Sequence, residues 1–268
     1  MIKQIKDTAG IDLSVFNRSY LEKTINWRMS ETRCESVIQY VDYLKNTNDE
    51  ADFLRKALNN NFSLFFRNPL TFAFIEHHIL PALVAIKSKK RNNEIRIWSA
   101  ACAAGQEAFS IAILCDELVK NQNGGVRFRI FATDLSDAEL EKAHQGIYTE
   151  NALRNVTFDR MKNYFTQKGD SFIVNPQLKD YIDFSTFDLL DEACDCPMAS
   201  IFGNFDIVIC ANLLFYYNSN AQKRILRKVD NCLASKGFLI VGEAEKEIAE
   251  NKIGYFCFNH LPVLQKPG

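Results

Sequence analysis

The sequence predicts an α/β fold in which a doubly wound, mostly parallel sheet follows an N-terminal helical domain and carries a small inserted β-subdomain. Residues 1–66 show helical periodicity and few strand signals, whereas short apolar strands alternate with helices from Glu94 onward. Alternation of that kind favours a parallel sheet covered by helices on both faces. The chain has 268 residues, 47% of them hydrophobic, which is enough for one large core and a small appendage.

The N-terminal part of the chain predicts a bundle of short helices, because its apolar side chains recur at the spacing of one helix face. These side chains are Leu13, Phe16, Tyr20, Leu21, Val37, Ile38, Val41, Leu44, Phe53, Leu54, Ala57 and Leu58. A polar stretch from Asn46 to Glu50 predicts a turn, and Pro69 closes the segment. We therefore place the helical domain at residues 1–68 and the second domain at residues 69–268.

The second domain starts with a predicted helix from Phe72 to Ile86 and a basic connector at residues 87–93, after which strands and helices alternate. The predicted strands are Ile95–Ser99, Val126–Thr133, Tyr181–Phe184, Phe205–Cys210 and Gly237–Val241, and the predicted helices between them are Gln106–Val119 and Ala221–Leu233. Short β-like pieces, including Tyr164-Phe165 and Ser171–Val174, predict a small β-subdomain inserted at residues 146–180. The order of elements is that of a Rossmann-like sheet.

Charge and cysteine content argue against several classes of function. Lys and Arg number 32 against 33 Asp and Glu, so no basic field indicates a nucleic acid partner. No unbroken run of about 18 apolar residues predicts a membrane span, and the first residues lack an apolar signal segment. Cys194 and Cys196 lack a second Cys or His pair at zinc spacing, so we interpret them as loop thiols and expect no metal. We expect a reduced, cytoplasmic protein.

Small and acidic residues follow the first two strands of the predicted sheet, where a doubly wound fold binds its ligands. The run from Ala100 to Gly105, which includes Ala101, lets a ligand approach the backbone, and Asp134 can accept hydrogen bonds from ribose hydroxyls. A dinucleotide fingerprint needs glycines where Ala100 and Cys102 stand, whereas S-adenosylmethionine (SAM) has no phosphate and needs none. The turn therefore favours SAM over a nicotinamide cofactor, although close packing alone also explains small residues there.

Two further segments combine polar and aromatic residues. In Asn61–Pro69, two phenylalanines precede Arg67; the alternative to a functional role is a helix end that docks its rings and pairs Arg67 with a surface acid. In Ile207–Tyr217, a buried strand runs into Asn212 and then into aromatics; the alternative is core packing, with Asn212 capping a turn.

Taken together, these segments resemble the chemotaxis receptor glutamate O-methyltransferases of the CheR type. The blocks that carry the resemblance are Asn61–Pro69, Ile97–Glu107, Ala132–Asp134, Ala143–Tyr148, Phe205–Tyr217 and Gly237–Glu245, with Thr8–Ile11, Tyr20-Leu21 and Arg28-Met29 in the N-terminal part. The resemblance spans nearly the whole chain. It implies an N-terminal helical domain, a SAM-binding domain and an inserted β-subdomain.

The resemblance also implies a set of site residues. Arg67 and Tyr216 would be catalytic and would face the transferred methyl group, and Asp134 would bind the ribose. The complete cofactor set is Asn61, Ser63, Arg67, Ala101, Gly105, Glu107, Asp134, Asp188, Leu189, Cys210, Ala211 and Asn212. The implied partner is an acidic helical region of a chemoreceptor-like protein, and we expect a monomer that neither enters a membrane nor binds nucleic acid.

The chemistry implied by the resemblance suits these residue types. A glutamate side chain, with a pKa near 4.3, is already an anion at neutral pH and needs no general base to attack a methyl group. An arginine can clamp that carboxylate, and a tyrosine hydroxyl can orient it. The absence of a catalytic His or Cys among the predicted site residues is therefore expected.

This sequence departs from the family pattern at several positions. Ser63 replaces the usual Thr, Asp188 replaces Asn, and Ala211 stands where an Arg is usual. On the N-terminal helix, Thr24 and Trp27 stand where arginines are common, so the positive charge of that helix is reduced. Two alternatives stay open: a methyltransferase that acts on another protein, a small molecule or RNA, and a SAM-binding regulatory module without catalysis.

Overall fold

The computed structural model describes Ile5 and residues 11–47, 49–59, 62–91, 93–121, 125–200, 203–258 and 260–268. The chain divides into two compact units. The first consists of Met1–Asn61 together with Leu214–Arg224, and the second of Phe62–Leu213 together with Ile225–Gly268.

The first unit is helical. Its helices are α1 (Arg18–Glu31), α2 (Val37–Asn46) and α3 (Glu50–Leu58). The side chain of Asn17 accepts hydrogen bonds from the backbone N–H groups of Ser19 and Tyr20 at the start of α1, and that of Ser36 accepts one from the N–H of Gln39 in α2. Predicted face residues such as Leu21, Val41 and Leu54 form its core, so the bundle of short helices is confirmed.

Inside this core, Arg28 of α1 forms a buried ion pair with Glu50. The Nη2 atom of Arg28 lies 2.7 Å from Glu50 Oε2, and the hydroxyl of Tyr40 donates to Glu50 Oε1 at the same distance. A folded protein tolerates a buried charge when that charge is paired and hydrogen-bonded in this way. Arg28 is therefore engaged within the unit and is not a surface charge.

The second unit contains a seven-stranded sheet. Its strands are β1 (Glu94–Ala100), β2 (Arg127–Asp134), β6 (Ile182–Thr186), β7 (Phe205–Cys210), β8 (Leu233–Val241), β9 (Phe256–Cys257) and β10 (Val263–Gln265), in the order β6-β2-β1-β7-β8-β10-β9. The first five of these in spatial order pair in parallel, as predicted, and β10 pairs antiparallel with its neighbours. The carboxyl ends of β2, β1, β7 and β8 therefore meet at one edge.

Helices connect these strands. They are α4 (Pro69–Lys87, with a π-helical turn at Ile75–Ile79), α5 (Gln106–Asn121), α6 (Asp137–Gln145), α7 (Phe158–Tyr164), α8 (Ser219–Cys232) and α9 (Lys246–Ile253). By length and composition α4 alone, among the described residues, could cross a membrane. Its residues Phe72, Ile79 and Val84 belong to the main hydrophobic core, as expected for a core helix.

The insertion is a three-stranded antiparallel sheet with helical turns. Its strands β3 (Ile147–Thr149), β4 (Phe165–Lys168) and β5 (Ser171–Val174) lie in the order β3-β5-β4. A 3-10 helix at Glu150–Leu153 and helix α7 join β3 to β4. The sequence pattern predicted only β structure here, because the seven residues of α7 are too few to show a helical period.

One expectation about the cysteines is wrong. The structure joins Cys196 and Cys232 in a disulfide, with their Cα atoms 6.1 Å apart. Cys194 is an exposed free thiol, so the prediction of loop thiols is correct for Cys194 and wrong for Cys196. The 36-residue separation explains the error, because only the folded loop before β7 brings Cys196 to the end of α8.

Candidate active site

The turn after β1 has a strained backbone and lies against the end of the adjacent strand β2. Ala101 and Ala103 have φ values of 70° and 49°, and Gly105 has 86°. A Cβ atom on Gly105 would lie 2.9 Å from the Cβ of Ala143, so both the conformation and the space require glycine there. We call residues 100–105 the cofactor loop. It ends where α5 begins.

Asp134 ends β2 and holds the cofactor loop. Its Oδ2 accepts the backbone N–H of Ala103 at 2.8 Å, and its Oδ1 accepts that of Ser136 at 2.9 Å. Burial raises the pKa of this carboxyl, and the backbone N–H groups of Ser136, Ala103 and Leu135 oppose the shift. Each oxygen keeps a lone pair for a further donor, such as a hydroxyl group.

Glu107 lies in the first turn of α5, and its carboxyl is desolvated. Burial raises its pKa to about 8, while the Ser99 hydroxyl, which donates to Oε1 at 2.6 Å, and the charge of Arg67 lower it. The nearby Glu245 raises it further. Arg67 and Glu245 are thus both within electrostatic reach of Glu107.

Arg67 lies on a tight segment before α4. Its Nη1 donates to the carbonyl of Phe62 at 2.9 Å, and its guanidinium carbon lies 5.5 Å from the centre of the Phe62 ring. The preceding residue, Phe66, has a φ of 47°, which is uncommon for an aromatic residue. We call residues 62–68 the arginine loop; Ser63, half-buried, belongs to it.

The turn after β7 is fastened to the turn after β8. Asn212 has a φ of 61°, and its backbone N–H donates to Glu245 Oε2 at 2.7 Å. The N–H of Gly242 donates to the same oxygen at 2.8 Å. Glu245 is fully buried. Glu245 ends the block Gly237–Glu245, for which the sequence predicts no role at this position; the signal is a Gly-x-x-Glu run that caps a helical turn after a strand.

The remaining predicted residues lie at or after strand ends. Asp188 and buried Leu189 follow β6, where the backbone N–H of Leu190 donates to Asp188 Oδ1 at 2.7 Å. Cys210 is buried at the end of β7, and Ala211 packs against the core. Asn61 lies outside the described residues, as do Thr8 to Gly10 of the resemblance.

Tyr216 belongs to the first unit, unlike the other described site residues. Its ring centre lies 4.7 Å from that of Tyr20, and its carbonyl accepts the backbone N–H of Asn17 at 2.8 Å. Burial and the neighbouring Tyr216 raise the pKa of Tyr20 to about 12. The pairing of Tyr216 with Arg67 stays a prediction.

Backbone strain concentrates at these turns. Among the described residues, the non-glycine residues with positive φ are Arg33, Phe66, Ala101, Ala103, Asn204, Asn212 and Lys236. Four of the seven lie in the arginine loop, the cofactor loop or the turn after β7. Such strain persists where the surroundings hold it, which is typical of functional sites. No group of three potential metal ligands occurs in the described part of the chain.

Comparison with known proteins agrees with this arrangement. Residues 61–258 match the model of the CheR methyltransferase SAM-binding domain, and residues 1–58 match that of the CheR all-alpha domain. Chemotaxis protein methyltransferase 1 of Pseudomonas aeruginosa is 30% identical over 90% of this chain and 86% of its own length. Chemotaxis protein methyltransferase Cher2 of Pseudomonas putida is 34% identical over 70% of this chain and 67% of its own.

A third relative, the chemotaxis protein methyltransferase of Borreliella burgdorferi, is 27% identical over 91% of this chain and 86% of its own length. The two matched models together cover nearly the whole chain, in the order that the resemblance predicted. The predicted fold class, family and cofactor are therefore confirmed. The chain belongs to the CheR methyltransferase family and is a SAM-dependent methyltransferase.

Proposed function

We propose that this enzyme transfers the methyl group of SAM to glutamate side chains of a chemoreceptor-like protein and so forms glutamate methyl esters. The observation that carries the proposal is the strained arginine loop, whose Arg67 lies within electrostatic reach of the desolvated carboxyl of Glu107. An arginine at that place can bind an anionic substrate where the cofactor's reactive end would lie. The names of the curated relatives support the same substrate class.

The residues present fit SAM in charge and in hydrogen bonding. SAM supplies, when bound, an electrophilic methyl group on a positively charged sulfur. Glu107 offers a carboxylate to the cofactor's ammonium group, and burial, which raises the pKa of Glu107 to about 8, makes a cationic partner favourable. Asp134 keeps acceptor capacity for ribose hydroxyls. We assign Asp188 and Leu189 to the adenine, and Ala101, Gly105, Cys210, Ala211 and Asn212 to the pocket wall.

Arg67 and Tyr216 would position the substrate carboxylate. Arg67 carries five N–H donors, and one of them is bonded to the carbonyl of Phe62, so others can form a two-point contact with a carboxylate. Tyr216 would orient the attacking oxygen through its hydroxyl group, and Asn61 and Ser63 would contact the methionine end of the cofactor. This arrangement would align one oxygen of the substrate carboxylate with the methyl group that SAM would supply, with S-adenosylhomocysteine as the leaving group. No proton moves, so no general base is needed.

The N-terminal helical domain would select the protein substrate. We propose domain boundaries at 1–68 and 69–268 with the insertion at 146–180, an acidic helical region as the substrate surface, and a cytoplasmic monomer that binds no nucleic acid. The near balance of 32 basic and 33 acidic residues supports recognition of a protein surface over a nucleic acid.

The direct test is transfer of a labelled methyl group from SAM to the cytoplasmic fragment of a chemoreceptor, followed by mild alkali. Glutamate methyl esters release labelled methanol, whereas N-methyl products do not. Arg67→Ala should lower kcat by at least about 100-fold, because misplaced reactants forfeit the benefit of alignment, and should still bind S-adenosylhomocysteine. Arg91→Ala, an exposed arginine of the second unit that precedes β1 and has no proposed role, is the control.

Alkali-resistant label would contradict the ester chemistry and favour the alternative of a methyltransferase with another acceptor. Tyr216→Phe keeps the ring and removes the hydroxyl, so unchanged kcat in that variant would remove Tyr216 from the mechanism. A parent protein that binds S-adenosylhomocysteine but transfers no methyl group to any receptor fragment would favour the regulatory module.

A further inference from the structure

We propose that the first part of the insertion, residues 147–165, is a clamp that fixes the arginine loop and the cofactor loop relative to each other. Its positioning residues are Asn155, Arg160 and Tyr148. None of the three was predicted to belong to the site. The part of the proposal that concerns turnover rests on the proposed role of Arg67.

The arginine loop needs an external support because of its backbone. Phe66, directly before Arg67, has a φ of 47°, in a region that L-residues with large side chains avoid. If that strain relaxed, the direction of the chain would change at Arg67, and its guanidinium would move. The strained state therefore has to be held by contacts with the surrounding structure.

The clamp makes two polar contacts with the backbone of this loop. Asn155 Nδ2 donates to the carbonyl of Phe66 at 3.1 Å, and the N–H of Phe65 donates to the carbonyl of Ala152 at 3.1 Å. From the other side, Ser110 of α5 accepts the N–H of Phe66 at 3.0 Å. Both backbone polar groups of the strained residue are thus bonded to side chains remote in sequence.

Arg160 covers the ring of the same residue. Its guanidinium carbon lies 4.8 Å from the centre of the Phe66 ring, in the range of a cation–π contact. Its Nη2 atom lies 2.7 Å from Glu76 on α4 and 2.7 Å from Glu117 on α5. Two carboxylates therefore hold the arginine in place over Phe66.

Tyr148 connects this loop with the cofactor loop. Its hydroxyl donates to the carbonyl of Ala104 at 2.7 Å, and its ring meets the ring of Phe65 edge-on at 4.9 Å between centres. Phe165, at the other end of the clamp, also meets the ring of Phe65 edge-on, at 5.1 Å between centres. The side chain of Tyr148 is buried, so this hydrogen bond is shielded from water.

The contact of Asn155 with the arginine loop and the contact of Tyr148 with the cofactor loop should affect different measured parameters. Loss of the Asn155 contact frees the arginine loop and should lower kcat, whereas loss of the Tyr148 hydroxyl frees the cofactor loop and should weaken cofactor binding. A residue with a merely structural role would lower thermal stability and both parameters together. The separation of the two effects is the signature of positioning.

The test compares Asn155→Ala and Tyr148→Phe with the parent and with Asn151→Ala, an exposed amide on the same segment that makes the matched control. For Asn155→Ala we expect kcat to fall about 10-fold to 100-fold, with the Kd of S-adenosylhomocysteine unchanged and the backbone amide of Phe66 exchanging faster with deuterium. For Tyr148→Phe we expect that Kd to rise about 5-fold, the effect of one net hydrogen bond, at unchanged kcat. Asn151→Ala should match the parent.

Parent-like kcat and parent-like Phe66 exchange in Asn155→Ala would overturn the proposal, as would parallel losses of both parameters in both variants. If Asn155→Ala does not fold, Asn155→Asp keeps the volume and removes the donor. Failure of the proposed role of Arg67 has a different signature: Arg67→Ala would then retain activity, while the exchange of Phe66 and the cofactor Kd of Tyr148→Phe would still decide the clamp.

Discussion

Glu107 shows how one desolvated carboxyl couples ligand binding to pH. Its pKa in the folded protein is about 8, above its ordinary value of 4.5, and burial is the main cause. The folded state therefore binds the proton more tightly than the unfolded state does. The linked contribution to stability is complete below pH 4.5 and is lost as the pH rises through about 8.

This shift predicts proton release when the cofactor product binds. At pH 7 the carboxyl of Glu107 is mostly protonated, and a neighbouring ammonium group should lower its pKa and expel the proton. Calorimetry of S-adenosylhomocysteine binding in two buffers of different ionisation enthalpy measures the number of protons released. Glu107→Gln should abolish the release, and the exposed Glu141→Gln should not. Equal heats in both buffers for the parent protein would contradict this assignment.

Glu245 supports the turn after β7, and its removal should be costly. Its Oε2 atom accepts the backbone N–H groups of Asn212 and Gly242, and the side chain is fully buried. Glu245→Ala would leave the buried N–H of Gly242 and the half-buried N–H of Asn212 without this acceptor, so we expect a loss of about 2–5 kcal/mol in the free energy of unfolding. Urea denaturation checks this value. Glu247→Ala, which changes an exposed residue on helix α9, should change the free energy of unfolding by less than about 0.5 kcal/mol. An equal effect of the two variants would contradict this role of Glu245.

At the scale of secondary-structure elements, the sequence predicts well those strands and helices that are long, apolar and bounded by glycine or polar residues. Strand β7 has the predicted bounds, Phe205–Cys210, and α5 extends two residues beyond the predicted end at Val119. Strands β9 and β10 were not predicted, since two or three residues cannot show an alternating period. Their antiparallel pairing with β8 depends on the folded sheet.

The same limit applies to the site. Arg67, Glu107 and Asp134 were accessible to sequence reasoning because they stand at the ends of predicted elements or inside a recognisable block. Asn155 lies in none of the quoted blocks, and Tyr148 ends the block Ala143–Tyr148 but was given no role. Both act through backbone carbonyls, 89 and 44 residues away respectively. Supports of this kind have no local pattern, and only the tertiary structure identifies them.

The prediction about substrate recognition concerns the exposed face of helix α1. Arg28 is paired internally with Glu50, whereas Trp27 is 52% exposed. Exposed tryptophans often dominate binding at protein interfaces. We expect Trp27→Ala to raise the KM for a receptor fragment about 10-fold, which is about 1.4 kcal/mol, without changing the Kd of S-adenosylhomocysteine. Ile38→Ala on α2, which removes another exposed apolar side chain, is the control. A parent-like KM for Trp27→Ala would exclude this face.

For the whole molecule, net charge bears on how the protein meets its substrate. The formal net charge is −1 at pH 7, so long-range attraction to an acidic partner is weak. Charges more than about 10 Å apart are already screened at 0.1 M salt. We therefore expect the KM for a receptor fragment to change by less than about 3-fold between 50 and 300 mM salt. Steady-state kinetics across that range is the check, and a steep rise in KM would instead indicate a basic docking surface.

The account depends most on the cofactor site at the carboxyl ends of β1, β2 and β7, which Asp134 joins to the cofactor loop. The most direct measurement is calorimetric binding of S-adenosylhomocysteine to the parent protein, to Asp134→Asn and to the exposed control Asp137→Asn. The account predicts clear binding by the parent and the control, and a Kd at least about 10-fold higher, or about 1.4 kcal/mol, for Asp134→Asn. Absence of binding in the folded parent protein, or an equal Kd for all three, would contradict it.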